Sequence, residues 1–582
     1  MKRKNTIVSL LAVGVVLLNS CDESLLDINQ KATTSPETYY TEDVINEAIA
    51  NCYSQWARMG ITGSSLKRSL SDDAYSGGNQ RNDNTGVESL FEKTYTSSSY
   101  SGFSNYMGGL YKLIYNANCV IEYFKDYTSN PEVRRAIAEA HFFRAYAYLD
   151  LVSLWGTPPY VDHILAQSEF RTPNGDRKAL WELIVSDLEY AINSGDLMEK
   201  VLGNRSTTIR VTKQAAQAYL GKALLYQATY DNPSYGNLNN GKHGWDTYSV
   251  DYDALLGKAV ANLNAVVDGG QYKLINDFSA LGHTEADYCD EYILQNNAPN
   301  ALIGNNPDWV LTGFNTFAVM WSWRWQGGIL SAAGNTEIGS NYYTTGGYGF
   351  QQGVTKQYTI DGDLSAPGLV DAFESSPGEA NSQRRLWTYR TWDEISAMGV
   401  QPGGTAYGTS GYFNMKVLYR KAGGTRGYMG DMDLSGTWTY FAGSYANLAH
   451  MRYAEVLLMC AEANLLYSGG SATKARDCIN EIRTRAGATT YTSVDLNKVK
   501  LEYQLELACE GHRFQNLVRW GDAAQVMAKQ GLYIPSLVDG ASVTWYKNSA
   551  SNPGFKPDKN ELLPIYTNEF IVNPNIRQNP GY

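Results

Sequence analysis

The sequence predicts a mainly α protein, a scaffold of tetratricopeptide-type helix pairs interrupted by one long, loop-rich region. Three observations carry that prediction. Apolar residues recur at i, i+3 and i+4 in many windows of helical length. Arg452 to Arg485 reads as a helix–turn–helix unit, about 34 residues long as a tetratricopeptide unit is. Between roughly 274 and 449 the helical pattern fades into Gly, Asn, Ser and aromatic residues, and so long an irregular stretch in a compact protein is usually functional.

In chain order, Lys2, Arg3 and Lys4 precede an apolar run from Ile7 to Leu18 and then Leu18-Asn19-Ser20-Cys21. That is a signal peptide over 1–20 with Cys21 as the lipidation site. The apolar run is about 12 residues long against the roughly 20 that span a bilayer. Cleavage near Ser20 without lipidation is the alternative. Residues 21–40 are polar and irregular, a lipidated N-terminus and tether.

Helices are expected over 42–59, 106–124, 131–154, 177–192, 212–229 and 252–267, forming an N-terminal helical-repeat part over 41–273. Pro131 suits a first helical turn, and Gly156 with Pro158-Pro159 stops the third helix. Small residues such as Ala216, Gly221, Ala454 and Ala461 fall where paired helices must approach closely. Residues 72–85 read as a loop, and 274–449 as an irregular ligand-binding region with short helices only near 368–373 and Trp392. Helices resume at 451–467, 472–485 and 494–509, and residues 557–582 form an extended tail. Residues 450–582 form a C-terminal helical pair and tail, and 274–582 can pack with 41–273 as one compact unit.

With 582 residues and 43% hydrophobic content, the chain is large enough for more than one packed sub-region. Its net charge is -11, and cleavage after Ser20 removes three cations and no acid. Such a balance argues against nucleic acid as a partner and against electrostatic attachment to anionic lipid. The chain carries 43 Tyr and 13 Trp against 16 Phe, a bias toward rings with polar tips that suits half-wet binding surfaces. Beyond Cys21 the cysteines form no CxxC pair. Most lie in helical stretches as small apolar residues, and a Cys460–Cys478 disulfide is compatible with an oxidising compartment.

An ordered set of motifs then resembles one family. These are Ala138 to Tyr146 with Leu154-Trp155-Gly156-Thr157-Pro158-Pro159, Arg210-Val211-Thr212-Lys213, Arg452-Tyr453-Ala454-Glu455 through Ala463, and Asn480 to Gly487. Glu506-Leu507, Glu510-Gly511-His512-Arg513, Arg519-Trp520-Gly521, Leu563-Pro564-Ile565 and Gln578 to Tyr582 follow. Together they resemble the SusD/RagB outer-membrane lipoproteins. Tyr503, Asn516 and Tyr566 depart from the family pattern at scaffold positions. Glu506, Glu510 and Arg513 are expected to pair along a helix rather than to do chemistry.

The resemblance implies a cell-surface protein that captures an oligosaccharide or polysaccharide and hands it to a SusC-like TonB-dependent transporter, covering its barrel as a lid. Asp22-Glu23 after Cys21 resembles the surface-export signal of that family, implying an outer-membrane, lipid-anchored protein facing outward. The alternative is a structural adaptor or lid of the transporter, with a peptide or other nutrient as ligand and no glycan binding of its own.

Two candidate ligand contacts stand out. In Trp321-Ser322-Trp323-Arg324-Trp325 an extended backbone would set the three indoles on one face, about 6.8 Å apart, as a stacking platform. A plug that buries these rings is the alternative. The second is the loop with Asp73, Tyr75, Asn79 and Arg81, where the family places ligand contacts and where directional polar groups stand beside an aromatic face. Trp438, Tyr440 and Tyr348 are weaker aromatic candidates. Asp361-Gly362-Asp363 and Asp431-Met432-Asp433 fit turn chemistry better than a calcium loop. No HExxH, P-loop, GxSxG or dinucleotide fingerprint occurs, so the expectation is a binding protein without cofactor, metal site or catalytic residues.

Overall fold

The computed structural model describes residues 40–78, 81–296, 353–397, 406–416, 446–538 and 542–582, with short strands at 342–343, 419–420, 428–429 and 432–433. The scaffold helices are α1 (Ile45–Ser69), α2 (Gly102–Tyr123), α3 (Pro131–Trp155), α4 (Arg177–Asn193), α5 (Lys213–Tyr230) and α6 (Tyr252–Asp268), then α7 (Tyr453–Leu466), α8 (Ala472–Ala486), α9 (Leu496–Glu506) and α10 (Arg513–Arg519). From α1 to α8 each helix packs against the next, α6 against α7 included. The result is the expected repeat scaffold, one right after another around a shared core.

Local chemistry starts and stops most of these helices where the sequence places the signals, but α1 runs to Ser69, ten residues past the expected 59. Asn130 caps α3 ahead of Pro131, and Asp176, Thr212, Asp251, Ser471 and Asp495 each accept a hydrogen bond from a backbone N–H of the first turn. A side-chain cap of this kind contributes about 1 kcal/mol. Gly156 (φ +79°) ends α3. At Gly221 of α5 a Cβ would stand 2.5 Å from Leu263 of α6, so the small residue permits the close helix contact.

Short strands join the helices to the irregular region: β1 (Ala74–Tyr75), β2 (Tyr292–Asn296), β3 (Gly353–Val354), β4 (Tyr389–Thr391), β5 (Ala406–Tyr407), β6 (Tyr412–Asn414), β7 (Leu448–Arg452), β8 (Tyr533–Val538) and β9 (Ser542–Lys547). β2 and β7 pair antiparallel, Asn296 opposite Leu448. The chain therefore leaves the scaffold after α6 and rejoins it before α7 at a single place, and 297–447 is an excursion between two consecutive repeats. Strands β1, β3, β6 and β4 form one sheet, and β9, β8 and β5 another.

Buried charge fixes part of that excursion to the scaffold. Arg452 lies 2.5 Å from Glu291, 3.0 Å from Glu506 and 2.8 Å from Glu510. Arg485 joins Glu291 and Glu506, and Lys416 reaches Glu510 at 2.6 Å. Arg384 binds Glu379, Glu502 and Glu506, and Arg483 binds Glu502. Burial alone would raise the Glu506 carboxyl, but Arg485, Arg452 and Arg384 outweigh it and hold its pKa at about 2.

This corrects one expectation. Glu506, Glu510 and Arg513 are structural ion-pair residues, but they do not pair along a helix. Helix α9 ends at Glu506, short of the expected 509, and Arg513 turns to Asp72 at 3.0 Å. Long-range partners override the i, i+3 and i+4 spacing because the chain turns between them. The pattern of residues 72–85 as a loop also needs amendment, since β1 lies within it and a helix, Thr85–Glu92, starts at its end. At Asp361 (φ +53°) and Gly362 (φ +79°) the chain makes a two-residue turn between strands Thr359–Ile360 and Asp363–Leu364. Two positive φ values identify it as type I′, for which Asp-Gly is a favoured pair.

Candidate ligand-binding site

The loop after α1 is held from both sides. Asp72 pairs with Arg513, and Asp73 is buried with its Oδ2 accepting from the Cys509 N–H at 3.0 Å. Burial, followed by the neighbouring Asp72 charge, pushes the Asp73 carboxyl up to about 7. Thr355 of the excursion donates its hydroxyl to Asp72 O (2.6 Å) and its N–H to Asp73 O (2.9 Å). The next two residues then pair as β1 with β3, Ala74 opposite Val354.

Beyond β1 the backbone meets the second sheet. Gly78 and Tyr407 exchange two hydrogen bonds, 3.2 and 2.9 Å long. A Cβ on Gly77 would lie 1.9 Å from Tyr407 O, so this approach requires glycine. Arg81 then folds back onto helix Thr85–Glu92. Its guanidinium binds Glu92, stands 3.7 Å from Glu88 and donates to the Tyr407 hydroxyl at 3.0 Å. The Arg81 side chain keeps 30% of its surface exposed.

An aromatic group packs beneath the loop. Tyr75 contacts Phe91 and Trp545, with ring centroids 5.4 and 5.8 Å apart. Tyr358 stacks on Trp545 at 4.4 Å, the planes 27° apart, and meets Tyr533 edge-on. Beside this group opens a shallow cleft whose lining includes Tyr75, Phe91, Tyr358, Lys356, Lys529 and Gln530. Lys529 is paired with Asp363 and Lys356 with Glu374 at the same edge. Flat rings beside amine, amide and carboxylate groups can stack on a ligand's apolar face and hydrogen-bond its hydroxyls.

Of the residues singled out in the sequence, the structure brings Asp73, Tyr75 and Arg81 to one loop. Asp73 and Tyr75 are buried there, 1% and 3% exposed, where they anchor the loop and floor the cleft. Arg81 keeps an exposed face. Asn79, Trp321, Trp323, Arg324 and Trp325 lie outside the described residues, as do Tyr348, Trp438 and Tyr440. Sequence reading missed Tyr358, Tyr407 and Trp545. The last had a usable signal, since Ser542 to Lys547 is rich in β-branched and aromatic residues.

A second, small pocket lies among the scaffold helices and is lined by Lys67, Tyr146, Asp150, Lys222, His450 and His512, among others. Its charges are already matched: Lys67 with Asp150 at 2.6 Å and Lys222 with Glu455 at 2.8 Å. Burial, then the Lys67 charge, depress the His450 pKa to about 3, so this imidazole is neutral.

Two family profiles match the sequence, one described as "SusD family" over residues 424–582 and one as "Starch-binding associating with outer membrane" over 25–225. The chain belongs to the SusD/RagB family. A SusD-like protein P25 of Formosa agariphila is 31% identical over 31% of this chain, and the match spans only 36% of that relative's length. Among solved structures, a laminarin-binding SusD-like protein superposes with a TM-score of 0.68 at 24% identity, covering 94% of this chain and 100% of that one. Surface glycan-binding protein A from Bacteroides thetaiotaomicron, solved with laminarihexaose, gives 0.67 at 20% identity over 92% and 99%. These likenesses establish the SusD-like fold.

In this SusD-family chain the charged motif residues are mostly buried ion-pair members. Glu462 of α7 holds Arg519 at 2.5 Å and the Trp520 indole N–H at 2.7 Å. Two departures from the family pattern are absorbed locally: Asn516 accepts from Arg519 at 2.9 Å, and Tyr503 packs edge-on against Trp520.

Proposed function

We propose that the protein is a cell-surface glycan-binding lipoprotein that captures oligosaccharide or polysaccharide and delivers it to a SusC-like TonB-dependent transporter. The observation that carries this reading is the cleft between the loop after α1 and the excursion, where Tyr75 and Tyr358, the latter stacked on Trp545, adjoin Lys356, Lys529 and Gln530 on a SusD-family scaffold. Pyranose rings offer C–H faces for such aromatic groups and hydroxyls for the polar ones. Trp321, Trp323, Arg324 and Trp325, with Asn79, are proposed to extend the same surface. No catalytic role is assigned to any of these residues, and the reading is that of a binding protein.

Calorimetry or affinity electrophoresis with laminarin, xyloglucan, starch and other polysaccharides tests it. Binding to at least one glycan, weakened by Trp321→Ala with Trp323→Ala at unchanged melting temperature, supports capture by a surface platform. Co-purification with an outer-membrane barrel but no binding to any glycan would favour the adaptor reading. Release of new reducing ends on prolonged incubation would overturn a purely binding role.

The proposed anchor is the lipid on Cys21, which holds the protein on the outer leaflet, facing outward. An N-terminal diacylated cysteine supplies the two acyl signals that stable attachment needs. Among the described residues no helix is long and apolar enough to cross a membrane. A Cys21→Ser variant is expected in the soluble fraction, and retention in the membrane would refute the lipid anchor.

A further inference from the structure

Helices α7 and α8 form a hairpin, and their facing sides bring two thiols into contact. Cys460 Sγ and Cys478 Sγ are 3.5 Å apart, with both residues almost wholly buried. Cys460 also donates to Asn264 Oδ1 of α6 at 3.1 Å and accepts from Asn464 Nδ2 at 3.6 Å. The pair therefore sits at the junction of α6, α7 and α8, where the repeat scaffold resumes after the excursion. Disulfides in exported proteins form between sulfurs brought close by the backbone, and bonding shortens their separation to about 2.0 Å.

We propose that Cys460 and Cys478 form a disulfide when the chain folds in an oxidising compartment, fastening α7 to α8. The co-reactant is a disulfide-bearing thiol oxidant. One cysteine thiolate attacks the oxidant's disulfide and gives a mixed disulfide. The second thiolate displaces the oxidant's remaining sulfur, leaving Cys460–Cys478 oxidised and the oxidant as a dithiol that takes up both protons. The loop closed is short, 18 residues in separation, so the reaction can occur while the hairpin is forming and the thiols are still open to solvent. Afterwards burial protects the bond. In the reduced form, contact with the Cys460 sulfur and burial push the Cys478 thiol pKa strongly up, which makes the folded dithiol slow to react. The state of the pair is thus set during folding.

The test is peptide mapping by mass spectrometry after alkylation without reduction. It is applied to the full-length protein exported with its own leader, and separately to unfolded protein refolded in an oxidised and reduced glutathione buffer. A cross-linked Cys460–Cys478 peptide, about 2 Da lighter than the sum of its thiol forms, is the expected result in both samples. Reduction should lower the melting temperature of the wild type by a few degrees and leave Cys478→Ser unmoved. Alkylation of both cysteines in both samples overturns the proposal. Oxidation only in the glutathione sample would confirm the site's chemistry and place the fault in the proposed export route. A Cys478→Ala variant that folds and melts with the reduced wild type separates loss of the bond from loss of packing.

Discussion

Leu448 stands directly across from Asn296 in an antiparallel strand pair, so everything between them is an insertion into a continuous helical scaffold. The register decides how a region of weak helical pattern is carried. Its two ends are tied together, Gly353–Val354 pairs with β1 and Ala406–Tyr407 with the β8–β9 hairpin, and ion pairs from Arg384 and Lys416 dock it onto α9 and the turn after it.

Arg452 is the pivotal cation of that docking. Replacing it with Met leaves Glu291, Glu506 and Glu510 short of a shared partner in a water-poor site. Loss of one partner from a buried pair costs about 3–5 kcal/mol. Chemical denaturation should show a loss of that order, and a change under 1 kcal/mol would mean that Arg485 and Lys416 suffice.

Acid should loosen the same region. The Glu506 pKa is held near 2 and the Glu510 and Glu455 carboxyls are also held well below their ordinary range by neighbouring cations that outweigh burial. Depressed carboxylates stabilise the fold above the unfolded value of 4.5, and that stability is lost as pH falls toward the folded values. Denaturation midpoints measured between pH 5 and pH 2 should fall steadily, and by less in Glu506→Gln.

Asp73 has the opposite sign. Its folded pKa is raised from 3.8 to about 7, so its contribution is fullest below 3.8 and declines as pH rises toward 7. Asp73→Asn keeps an acceptor for the Cys509 N–H and removes the buried charge. The variant should match the wild type near pH 4 and exceed it at pH 8 by about 1–2 kcal/mol. Equal differences at both pH values would show that the carboxyl stays ionised when buried.

Gly77→Ala tests how the loop is placed. The new Cβ would overlap Tyr407 O, and the loop must withdraw from β5. Such a clash costs about 1–3 kcal/mol. Glycan affinity, measured by calorimetry, should drop more than tenfold, about 1.4 kcal/mol. Unchanged affinity would detach this loop from the binding surface.

Helix identity was written locally. The apolar spacing of Val44 to Trp56, and Asn130-Pro131 at the start and Gly156 at the end of α3, are choices that adjacent residues make, and the sequence shows them. The β8–β9 hairpin also has a local signal, Asp539-Gly540 between two runs rich in β-branched and aromatic residues. Asp361-Gly362 was legible as a turn, and its I′ geometry follows from two positive φ values that this dipeptide tolerates.

The site was legible only in outline. Asp73, Tyr75 and Arg81 were found as a loop, but their spacing along the chain says nothing of which side chains turn inward. Asp73 is held by Cys509 and its neighbour Asp72 by Arg513, and Tyr75 packs on Trp545, all more than 400 positions away.

By itself, then, the sequence determined most of the helices and their pairing into repeats, because both rest on short-range periodicity. The tertiary structure alone decided that the stretch is an insertion pinned at Asn296 and Leu448, and that Glu506 and Glu510 look to Arg452 rather than along their own helix. It also decided that Tyr358 stacks on Trp545 beside the loop. These depend on contacts between distant segments, whose free energy comes from burial and charge matching that no local pattern encodes.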